Sequence, residues 1–122
     1  MNLVHLDFDS SEDAQGAGTF DAMAAATPAQ LAALQAEVVR VLDWAHREFP
    51  GEHGPLDEGG EWDYELQGVQ EVPTTLDVAY DAAARTLELR PGAAGPARVT
   101  LSLTLTGTAA FCAAFRQEFG VK

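Results

Sequence analysis

Hydrophobic and polar residues alternate most cleanly from Arg98 to Thr106, where Val99, Leu101, Leu103 and Leu105 are separated by Thr100, Ser102 and Thr104. A period of two puts the aliphatic side chains on one face of a strand and leaves the other face to water. After Gly107 the period changes. Thr108 is positioned to cap a helix in which Phe111, Phe115 and Phe119 recur every four residues. A second helix is predicted from Pro28 to Phe49. Thr27-Pro28-Ala29-Gln30 reads as a capping box with proline in the first turn. Leu31, Leu34, Val38, Val41, Leu42, Ala45 and Phe49 form its apolar stripe, with Leu42 at the centre. Glu37, Arg40 and Trp44 fall on the face expected to meet water.

The remaining strands are shorter. Val4, Leu6 and Phe8 alternate with polar residues and predict a strand over 2–8, followed by a loop from Ser10 to Gly18. Residues 19–26 fit either a strand or a short helix, and a strand needs no extra loop before the Thr27 cap. Trp62, Tyr64 and Leu66 predict a strand whose inward face holds both aromatics. Gly68 is where a bulge would restore register for Val69. Leu76, Val78 and Tyr80 mark the next strand, Asp81 to Arg85 a turn, Leu87 and Leu89 another strand, and Pro91 to Pro96 a loop. Strands joined by short turns make an antiparallel meander. The expected fold is therefore a single α+β domain over 1–122: a two-layer sandwich of five or six largely antiparallel strands, with two helices on one face.

Charge changes the picture more than composition does. Nineteen acids against seven Lys and Arg give a formal charge of −12, and Lys122 is the only lysine. That field repels phosphate backbones and anionic headgroups, so nucleic acid and membrane are poor partners, whereas a basic protein suits it. It also serves plain solubility. The lone Cys112 excludes an intrachain disulfide. The first residues lack the basic and apolar regions of a signal peptide, which points to a cytoplasmic protein. Abundant alanine beside a single lysine suggests a GC-rich bacterial genome.

Candidate chemistry is sparse. His5, Asp7 and Asp9 would lie on one side of a strand, where imidazole and carboxylates suit a divalent cation. Alternating polar residues are equally what a solvated face looks like, and no metal is expected. Asp7-Phe8-Asp9 has the spacing of the Asp-x-Asp that opens the site of haloacid dehalogenase-like phosphatases. The lysine or arginine and the further acidic pair of that chemistry have no counterpart, and the chain lacks that fold's repeated strand–helix units. The loop from Gly51 to Glu61 is acidic and glycine-rich but does not keep calcium-loop spacing. Cys112 lies among the phenylalanines and reads as a buried thiol. No cofactor fingerprint or matched acid–base pair is present.

Three classes of function follow. The first is a non-enzymatic binding or regulatory protein acting through protein–protein contact. The second is a small-ligand binder or enzyme with a pocket between helices and sheet, for which Trp62, Tyr64, Glu65 and Tyr80 are the candidate lining. The third is an assembly subunit, a homodimer joined through a sheet edge or through Trp44, whose indole either serves an interface or folds back over the helix edge onto the following loop.

Overall fold

A computed structural model describes residues 2–122 and shows an α+β fold of two helices and six antiparallel strands in two sheets. In chain order the elements are β1 (Asp9–Glu12), β2 (Gly18–Ala26), α1 (Pro28–Glu48), β3 (Trp62–Glu71), β4 (Thr74–Asp81), β5 (Thr86–Ala94), β6 (Arg98–Gly107) and α2 (Ala109–Phe119), with a short 3₁₀ turn at Leu56–Glu58. The main sheet has the order β1-β2-β6-β3, and β4 and β5 pair with each other in a second sheet.

The period-two pattern predicts the main sheet's faces correctly. Phe20, Ala22, Ala24 and Ala26 of β2 are buried, and Asp21, Met23 and Ala25 between them are exposed. On β6 the register sets Leu105 beside Phe20 and Leu103 beside Ala22. Both leucines are fully buried, and Ser102 and Thr104 remain half-buried on the other face. One core joins these strands to Leu34, Val41 and Trp44 of α1 and to Phe111 and Phe115 of α2, so both helices cover the same face.

The helix ends form where their sequences place them. Gln30 Oε1 accepts the backbone N–H of Thr27 at 3.2 Å. Thr108 Oγ1 accepts the N–H of Phe111, and Gly120 closes α2 in the left-handed region at φ 66°.

The long helix is turned by roughly 60° about its axis from the predicted stripe. Its buried residues are Leu34, Glu37, Val38, Val41, Trp44 and Ala45, while Leu42 is only partly buried. Aromatic bulk explains the rotation. Trp44 meets Phe49, Phe111, Phe115 and Phe119 at ring separations of 5.4–6.2 Å. Facing α2 with Trp44 buries more apolar area than facing it with Leu42.

The N-terminal strand expected over 2–8 does not form. Residues 3–8 run irregularly, and β1 occupies part of the predicted loop. The buried carboxylate of Glu37 supplies the reason: it accepts the backbone N–H groups of Val4, His5 and Leu6 at 2.9–3.0 Å, so this segment needs no sheet partner. The strand begins beyond this clamp and returns to β2 through a turn that Asp13 holds, its Oδ1 accepting from Gln15 and Ala17.

The expected meander is also corrected. β3 pairs with β6 from Trp62↔Gly107 to Glu71↔Arg98, and β4 pairs with β5 from Thr74↔Ala94 to Asp81↔Thr86. These are two stretches of one long ribbon, interrupted near Pro73 and Gly95, where the Gly95 N–H donates to the Pro73 carbonyl at 2.7 Å. Pro73 and Pro91, read as strand ends, mark irregularities in continuing legs. β5 runs through Pro91, and a register shift lies opposite the Thr74–Leu76 stretch. Gly68 marks no bulge: pairing passes unbroken from Leu66↔Leu103 to Val69↔Thr100.

Candidate functional site

The ribbon beyond Glu71 is an arm. Every residue of β4, β5 and the turn between them is exposed. Eight residues of β4 at the rise of a strand carry it about 25 Å from the body. At its tip Asp81 Oδ1 accepts the N–H groups of Ala83 and Ala84, and Arg85 adopts the left-handed region at φ 54° to bring the chain back.

Directly opposed residues of an antiparallel pair share a face. Leu76 opposes Pro91, Val78 opposes Leu89 and Tyr80 opposes Leu87, so three consecutive apolar rungs lie on one side. Asp77 opposes Arg90, Ala79 opposes Glu88 and Asp81 opposes Thr86 on the other. The arm is thus amphipathic. The sequence assigns its apolar rungs to a core, yet Leu76, Val78, Tyr80, Leu87 and Leu89 are 52–70% exposed. The arm thus holds five large hydrophobic side chains in water on a two-stranded element, and a lone ribbon is marginal in water.

Of the four pocket candidates read from the sequence, Tyr64 and Glu65 share one depression and Trp62 and Tyr80 lie outside it. Trp62 is completely buried, stacking 5.8 Å from Phe111, and its indole N–H has no hydrogen-bond partner among the described residues. Tyr64 is half-buried and stacks 6.0 Å from Trp62. Glu65 is exposed; with Asp63, Tyr64, Thr104 and Thr106 it lines a depression of about 240 Å³. Tyr80 stands apart from all of these, on the arm. Trp44 is only 5% exposed, packed within its own chain.

His5 is half-buried and Asp7 and Asp9 are exposed on the irregular segment and the start of β1. Among the described residues no group of three or more His, Cys, Asp or Glu is placed to hold a metal ion. Cys112 is buried and its thiol donates to the Gly107 carbonyl at 3.5 Å. Burial pushes this thiol up, and the nearby Arg116 only partly opposes it.

One cluster has no signal in the sequence. The acidic loop folds back so that His53 stacks on Tyr64 at 5.3 Å and its Nε2 lies 2.9 Å from Asp63 Oδ1. His46 of α1 meets His53 at 5.6 Å and the edge of Trp62 at 4.9 Å. Together with the bond between Thr108 and Glu61, these contacts fasten the loop across the start of β3 and the cap of α2.

Among the described residues no helix is long and apolar enough to cross a membrane. No known protein family, curated protein or solved structure matches the chain.

Proposed function

We propose that this chain is a non-enzymatic binding or regulatory protein of the bacterial cytoplasm that acts through protein–protein contact, with the β4–β5 arm as the contacting element. One observation carries the reading: three apolar rungs on an arm that nothing else among the described residues covers. Hydrophobic surface held away from the body gains free energy when a second polypeptide removes it from water. The charge supports a division of labour. Across 74–94, Asp77, Asp81 and Glu88 stand against Arg85 and Arg90, leaving −1 of the chain's −12 on the arm. The body's acidity suits basic neighbours, while the arm selects on apolarity and shape.

The rival reading, a ligand pocket between helices and sheet, draws less support. Trp62 and Phe111 fill the space that such a pocket needs.

A photo-crosslinking residue placed at Val78 and, separately, at Ala79 tests the reading in cells that produce the protein. Crosslinks to polypeptide from position 78 and few from position 79 are expected. Equal yields from both, or none from either, would overturn it.

A further inference from the structure

We infer that the occupant of the apolar face is a second copy of this chain, the two arms packing face to face in antiparallel orientation. The inference rests on the contact reading above and names its partner. Area is the first argument. Leu76, Val78, Tyr80, Leu87 and Leu89 together expose on the order of 600 Å² per chain, so mutual burial removes about 1,200 Å² in total, the lower bound of a standard specific interface. Two ribbons stacked in this way form a two-layer sandwich, which supplies the second layer that a lone ribbon lacks.

Charge is the second argument. The apolar face itself holds no ionisable group except the Tyr80 hydroxyl, so two copies meet without opposing charges. Beyond 74–94 each chain carries the remaining −11. Arms packed in parallel would bring two such bodies together at one end. Antiparallel arms hold them apart by about the 25 Å arm length, well beyond the ~8 Å screening length at physiological salt.

The rungs fit this orientation. A two-fold axis through the central Val78–Leu89 rung places the tip rung, Tyr80–Leu87, over the base rung, Leu76–Pro91, of the other copy. Each strand lies over its own counterpart, so Tyr80 meets Leu76 and Leu87 meets Pro91, and both ends of the interface are closed by the same pairs.

Analytical ultracentrifugation of the whole chain at tens of micromolar is expected to give twice the 13.0 kDa protomer mass. Val78→Lys with Leu89→Lys should weaken association by at least about 30-fold, while Val78→Ile should leave it within about threefold. Tryptophan fluorescence, arising from the buried Trp44 and Trp62, checks that the body of each variant is folded. Ala83→Cys at the arm's tip, spin-labelled while the buried Cys112 is spared, should report a tip-to-tip distance of about 25 Å or more. A monomeric wild-type mass at 100 µM would overturn the inference, as would a dimer that survives both lysines or tips in contact. If the wild type is monomeric yet Val78 crosslinks to other proteins, the second copy fails and the contact reading stands. If neither association nor crosslink is seen, both fail.

Discussion

Glu37 Oε1 accepts the backbone N–H of Leu6 at 3.0 Å across the edge of the core, joining the middle of α1 to the segment that precedes β1. Burial of the carboxylate raises its pKa. The donors Leu6, His5 and Val4, aided by the His5 charge, outweigh burial and leave the pKa below its ordinary value. A carboxylate depressed in the folded state contributes stability that is complete above its unfolded pKa of about 4.3 and is lost as pH falls through the lower, folded value. Acid unfolding should therefore steepen just below pH ~4. Glu37→Gln should flatten that part of the profile, and Glu37→Ala should cost about 1–3 kcal/mol at neutral pH. Thermal melts across pH 3 to 7 check both outcomes.

Leu34→Ala should destabilise the protein by about 2–5 kcal/mol, because its side chain is fully buried against the sheet. Leu42→Ala, at a position only partly buried, should cost less than about 1.5 kcal/mol. Urea denaturation of the two variants measures the turn of the helix directly, and equal losses would contradict it.

Gly107 joins β6 to α2, and a Cβ there would run into the ring of Phe111, whose side chain is itself fully buried. Gly107→Ala should cost about 1–3 kcal/mol by overpacking. Adding Phe111→Leu should recover part of that loss, and a double-mutant cycle reads the coupling.

Replacing residues 72–97 with a two-residue Asn-Gly turn should leave the body folded, because β3 and β6 stay paired from Trp62↔Gly107 to Glu71↔Arg98. The melting temperature at high dilution should change by only a few degrees, and tryptophan emission should keep its wild-type maximum. A collapse of the body would show that the arm is part of the core.

Cys112 should resist thiol reagents in the native protein and react at the rate of global unfolding. Its side chain has no exposed surface, and burial holds it in the neutral, unreactive form. Rapid modification by a small disulfide reagent would contradict this.

Most of the main sheet was legible because its alternation is local. Val99 to Leu105 states its faces residue by residue, and the helix caps at Thr27 and Thr108 lie within four residues of their partners, whereas Phe20 to Ala26 fits a strand or a short helix until its pairing with β6 decides between them. The rotation of α1 was not legible, since it depends on Phe111, Phe115 and Phe119 arriving from the far end of the chain to receive Trp44. The Glu37 clamp is a long-range bond from a side chain to the backbone, and no periodicity encodes it. The arm hid for a different reason. Leu76, Val78 and Tyr80 carry the same pattern whether the covering layer belongs to their own chain or to another. The pattern reports that a face is to be buried, not by what.

The continuity of β3 with β4 and of β5 with β6 also bears on how the chain finds its fold. Trp62 and Gly107 lie far apart in sequence, and closing that loop in one step would carry a large entropic cost. The turn at Ala82–Arg85 offers a local start. From it, pairing can advance rung by rung down the ribbon until it reaches Leu66↔Leu103 and the core. The contacts of highest separation then form last, each by a short zippering step, and a topology that would otherwise fold slowly gains a nucleus at its most exposed point.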